Sequence, residues 1–107
     1  MKPRIAILIV TTLLGACVSM SPRAQKVELV AQDNPHLAHC ERLGRLSAEA
    51  AGLGQLNVAD AEQQAKNNLL DAAAARWPGR ANAVALRSVE KGALTITAIG
   101  VAFNCPR

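Results

Sequence analysis

Apolar residues recur along this chain with different periods, and each period predicts a different element. A ten-residue, mostly apolar run, Ile5 to Leu14, stands near the N-terminus. Between Asn57 and Arg76 the residues Val58, Ala61, Ala65, Leu69, Ala72 and Ala73 fall at steps of mostly three or four, the spacing of one helix face. Asp60, Gln63, Gln64 and Asn67 fill the gaps and are expected to face solvent. Asn57 suits the N-cap, Asp60 places a carboxylate at the positive end of the helix dipole, and Glu62 and Lys66 form an i,i+4 pair. Pro78 cannot continue the helix and Gly79 permits the turn, leaving Trp77 to close the edge of the core.

Shorter apolar runs on either side predict strands. Lys26 to Val30 is β-branched at Val27 and Val30. Asp33-Asn34-Pro35 is a turn signal, and His39 to Ser47 is extended, with a break in apolar phase at Gly44 that predicts a bulge or twist. Ala51 to Gln55 reads as a loop. Asn82 to Val89 is a strand with Val84 and Leu86 inward, Glu90-Lys91-Gly92 turns, and Leu94 to Cys105 is a long final strand. In that strand Leu94 and Ile96 share one parity while Ile99, Val101 and Phe103 share the other, so a bulge at Thr97-Ala98 is expected to bring both sets to one core. The order β-β-α-β-β predicts an α+β domain, a small antiparallel sheet with one helix packed across it. The mainly alanine stripe permits a close approach of that helix.

The N-terminal run changes the picture of what is mature protein. Lys2 and Arg4 precede it, Gly15-Ala16 follow it, and at ten residues it is half the length of about 20 needed to span a bilayer. Leu14-Gly15-Ala16-Cys17 resembles the cleavage pattern of bacterial lipoproteins, in which the cysteine thiol receives a diacylglyceryl group. The expected organisation is a signal peptide at 1–16, a lipidated tether at 17–25 and a single domain at 26–107. Val18 is not the aspartate that retains lipoproteins in the inner membrane of enteric bacteria, so the expected location is the outer membrane, facing the periplasm.

The precursor carries twelve basic and eight acidic side chains, for a net charge of +4, but Lys2 and Arg4 leave with the signal and the mature balance falls to +2. Without a basic cluster, and with only Trp77 and Phe103 as aromatics, a nucleic-acid partner is not expected. Of the three cysteines, Cys17 is consumed by lipid. Cys40 and Cys105 remain to pair in an oxidising compartment, for about 4 kcal/mol by the chain-entropy estimate.

Cys40-Glu41-Arg42-Leu43-Gly44, Lys66-Asn67, Ala81-Asn82-Ala83-Val84 and the closing Gly100-Val101-Ala102-Phe103-Asn104-Cys105 together resemble a family of small bacterial lipoproteins of unknown function. That family is distantly similar to RcsF, the outer-membrane sensor lipoprotein of the Rcs envelope-stress relay. The resemblance runs from about Val27 to Cys105. It implies that Cys40 and Cys105 form a structural bridge, that Asn82 begins a buried strand, and that Asn67 is held against a neighbouring loop. RcsF has two bridges and a long proline-rich tether, whereas this chain offers one pair of cysteines and eight tether residues.

Little in the sequence points to catalysis. His36-Leu37-Ala38-His39-Cys40 is the one concentration of metal-ligand types, and a disulfide at Cys40 would withdraw its sulfur. Asp33, His36 and Ser47 or Ser88 lack a nucleophile-elbow motif, and Gly52-x-Gly54 lacks the rest of a phosphate loop. No enzyme and no cofactor are expected. The reading is a membrane-anchored envelope module that binds or senses a protein or peptidoglycan partner. A structural or assembly lipoprotein is the alternative, and a metal-binding protein using His36 and His39 is a remote one.

Overall fold

A computed structural model describes residues 19–51 and 58–106. The signal segment, Cys17, the Gly52-x-Gly54 loop and the Asn57 cap lie outside the described residues. The elements in chain order are a 3-10 turn at Ala24–Lys26, strand β1 (Glu28–Ala31), a second 3-10 turn at Pro35–His39, strand β2 (Glu41–Ala51), helix α1 (Val58–Arg76), and strands β3 (Ala83–Lys91) and β4 (Thr95–Asn104). The α+β class and the β-β-α-β-β order are those read from the sequence.

The sheet itself is mixed, not wholly antiparallel. Its spatial order is β1-β3-β4-β2, with β1 parallel to β3 and both β2 and β3 antiparallel to β4. β1 and β2 are therefore not a hairpin; they run in the same direction at opposite edges. β1 ends beside Leu86, partway along β3, and β2 begins at the far edge beside Asn104. Residues 32–40 must cross over, and they do so on the face opposite the helix.

α1 lies on the other face. Ala61, Ala65, Leu69, Leu70 and Ala73 are buried against Leu46, Ala50, Val84, Ile96, Ala98 and Ala102. Alanine and glycine let the layers close: a Cβ on Gly100 would stand 3.2 Å from Leu69 Cδ2. The helix stops as expected before Pro78, with Gly79 at φ 72° in the turn and Trp77 packed over Gly44. The expected irregularity at Gly44 is present as a register shift between Arg42 and Gly44.

Three side-chain placements differ from the sequence reading. Val58 is exposed, because it opens the helix beyond the sheet. Leu94 is exposed in the β3–β4 turn, since β4 begins one residue later. β4 also needs no bulge: Ile96, Ala98, Gly100 and Ala102 alternate toward the helix while Ile99, Val101 and Phe103 line the opposite face. The register shift falls instead on β3, between Leu86 and Ser88, and leaves Arg87 as the extra residue.

Asn67 is the fourth difference from the helical spacing, being buried and not solvent-facing, and it is held against a neighbouring segment as the resemblance implied. Residues 19–25, expected to be a tether, lie along α1. The Asn67 Nδ2 donates to the Ser19 carbonyl at 3.0 Å, and Gln64 exchanges two bonds with the Ser19 backbone, at 2.8 and 3.1 Å. One turn further on, Asp71 accepts from the Ser21 hydroxyl and from Arg23 Nε and Nη2, at 2.7 and 3.1 Å for the arginine. Ala24 is completely buried behind this clamp.

The hydrogen bonds from Arg23 and then Ser21 hold the Asp71 carboxyl below the ordinary aspartate value despite partial desolvation. A depressed carboxylate stabilises the fold above its unfolded pKa and loses that contribution as pH falls through the folded value. Acidification below about pH 4 should therefore release residues 19–24 first. Amide exchange at Ala24 is expected to accelerate there while Leu69 stays protected, and Asp71→Ala should produce the same pattern at neutral pH. Unchanged exchange at Ala24 in that variant would show that the clamp does not hold the segment.

Candidate docking face

The helix covers one side of the sheet only. On the other side the crossing segment 32–40 arches over part of a surface whose floor is apolar. Ala83, Ala85 and Val101 are buried there although they do not belong to the helix-facing core, and Val30, Leu37, Ile99 and Phe103 are half-buried. Leu37, from the second 3-10 turn, forms a ridge between two open depressions. One, of about 800 Å³, is bordered by Lys26, Glu28, Val30, His36, Asn82 and Ala83. The other, of about 210 Å³, is bordered by Gln32, Arg42, Ala85, Arg87, Val101 and Phe103.

The crossing segment is held at both ends of its turn. Asn34 caps it by accepting from the His36 amide at 2.9 Å, with Pro35 at the first position. At its end Cys40 is bonded to Cys105, with Cα atoms 4.2 Å apart, well inside the range of about 7 Å expected for a pair. The strand register puts the bridge directly beyond Glu41 and Asn104. Asn82, one residue before β3, fastens the same corner: its side chain donates to the Cys105 carbonyl at 2.8 Å and accepts from the Cys105 amide at 2.7 Å. Its own backbone pairs with Glu28 and Phe103. An asparagine side chain here imitates a strand neighbour for a residue that has already left β4.

Charge on this face is sorted by position. Arg42 stands opposite Phe103 and Arg45 opposite Val101, and the register shift turns Arg87 toward the same depression as Arg42. None of the three has an ion-pair partner among the described residues. Nearer the β3–β4 turn, Thr97 is flanked by Glu49 and Glu90. Around Val101 and Phe103 the face is cationic and partly apolar, with Glu28 on its β1 edge, and toward the β3–β4 turn it is acidic.

His36 and His39 are both exposed, and the Cys40 sulfur is engaged in the bridge. Among the described residues no group of three or more His, Cys, Asp or Glu is placed to hold a metal ion. No helix among them is long and apolar enough to cross a membrane. Sequence reasoning singled out the bridge but not the three arginines, which lie scattered at positions 42, 45 and 87 and converge only through strand pairing. The one available signal was Arg87, a charge that ends the apolar run Ala83 to Leu86.

Comparison with family models, with characterised proteins and with solved structures finds no match at any of these levels.

Proposed function

We propose that this protein is a lipid-anchored, non-enzymatic binding module of the bacterial envelope, attached through Cys17 to the outer membrane and facing the periplasm. Its partner is an acidic segment of another envelope protein, docked on the open face of the sheet. The observation that carries this reading is the placement of Arg42, Arg45 and Arg87 over an apolar floor, none of them in an ion pair among the described residues. Three like charges on one half-face repel one another, and guanidinium groups pair carboxylates with two parallel hydrogen bonds. An acidic partner with one or two apolar side chains would relieve that repulsion and cover Phe103 and Val101. The anchoring half of the reading rests on the Leu14–Cys17 pattern.

A photo-crosslinking residue at Phe103, in intact cells, should yield one discrete adduct, and none from the exposed Gln63 on the helix side. Reversing the three arginines to glutamate should reduce that adduct at least tenfold, the loss of about 1.4 kcal/mol or more of pairing. An adduct of unchanged yield in the reversed variant would refute the docking face. Separately, Cys17→Ser should leave an unprocessed precursor that takes up no palmitate.

A further inference from the structure

We infer that the β3–β4 turn end of the domain rests in the membrane surface, with Leu94 and Val58 as its contacts, and that the docked segment 19–24 holds the domain in this one orientation. This rests on the lipidation of Cys17 proposed above. The occupant of the surface is the bilayer, identified by the length of chain that separates it from the anchor.

Cys17 is two residues from Ser19, so the lipid-bearing Cα lies within about 7 Å of the Ser19 Cα. Ser19 is not a free end. Its backbone is held by Gln64 and Asn67, and the segment then runs along α1 toward Asp71. Ser19 is thus held beside Gln64 and Asn67, on the Val58 side of Asp71, and in sequence a single residue separates it from Cys17.

The Val58 half of the helix points to one end of the domain. At the other end Trp77 packs over Gly44. Midway, Asn68 donates to the Glu49 carbonyl, opposite Thr97. From Asn68 the helix continues about 15 Å to Val58, in the direction in which β4 leads back through Thr95 to Leu94. The two large apolar side chains exposed among the described residues, Leu94 at 73% and Val58 at 47%, thus share the end nearest the anchor. Acyl chains inserted within reach of Ser19 bring the headgroup layer to that end, where an exposed leucine and valine gain from leaving water. Glu90 and Lys91, one charge of each sign, flank this turn, so the contact rests on the apolar side chains and not on headgroup charge. The same orientation points the arginine half of the open face away from the membrane, where a partner can reach it.

The native single tryptophan marks the distal end and makes the test direct. Full-length protein purified from membranes is placed in phosphatidylethanolamine–phosphatidylcholine vesicles with brominated acyl chains, and the diacylglyceryl group on Cys17 is verified by intact mass. Emission from Trp77 should be unquenched. Leu94→Trp, and independently Val58→Trp, should add a blue-shifted emission that the brominated chains quench. Asp71→Ala, which cuts the strap and spares the anchor, should reduce that quenching when combined with Leu94→Trp. Protein that is lipidated but shows no quenching in either added-tryptophan variant, or that shows equal quenching of Trp77, overturns the orientation alone. An unmodified Cys17 overturns the anchoring reading and this inference with it.

Discussion

Cys105→Ser should cost about 4 kcal/mol of stability and lower the melting temperature by roughly 20 °C. The bridge joins residues 65 apart in sequence, so in the oxidised unfolded chain it closes a loop over more than half of the molecule. A domain of this size has only about 5–15 kcal/mol in total, which makes the bridge one of its largest single contributions. The expected mechanism is specific. Asn82 still holds the Cys105 backbone in the native state, so the substitution acts mainly on the unfolded ensemble and should slow folding more than it accelerates unfolding. Thermal melts of the single variant and of Cys40→Ser/Cys105→Ser should coincide. A single variant that melts with the parent would remove the bridge from any account of stability.

Leu69→Ala is expected to cost about 3–5 kcal/mol, in the upper part of the range for a buried leucine. Leu69 is fully buried between the layers, over Gly100 and beside Val84. The cost depends on whether the surroundings can collapse into the space. Here the floor consists of Gly100, Ala98 and Ala102 on a central strand paired on both sides, so little can move inward. Gly100→Ala should not be rescued by this cavity, since its Cβ would meet the Ala85 carbonyl oxygen at 2.8 Å as well as the leucine. Leu94→Ala, the same chemical change at the exposed turn, should stay within about 0.5 kcal/mol. Urea melts of the two alanine variants separate these cases, and comparable losses at Leu69 and Leu94 would contradict the two-layer packing.

The contrast between those two leucines shows where the sequence pattern is informative. Leu69 sits in a stripe sustained over four helical turns, and such a repeat has only one way to be buried. Leu94 precedes β4 by one residue, and strand parity cannot tell the last paired position from the first unpaired one. Ile99, Val101 and Phe103 were misleading for a related reason. Period-two alternation assumes one wet face, whereas β4 is a central strand with α1 on one side and the 32–40 crossing on the other.

By itself the sequence determined what depends on neighbours along the chain: the helix and its stop at Pro78, the irregularity at Gly44, the cysteines left to pair once Cys17 is set aside, and the α+β order. The tertiary structure decided which strands are neighbours, that β1 runs parallel to β3, that three dispersed arginines share a face, and that Asn67 is buried. Asn67 is the plainest case: its spacing on the helix marks it as a solvent position, yet its partner is a backbone carbonyl 48 residues away. A period reports how a segment folds on itself. Which polar group is satisfied by a distant strand or strap is set by the packing of the whole chain, because the cost of leaving that group buried and unpaired arises only once the layers have closed.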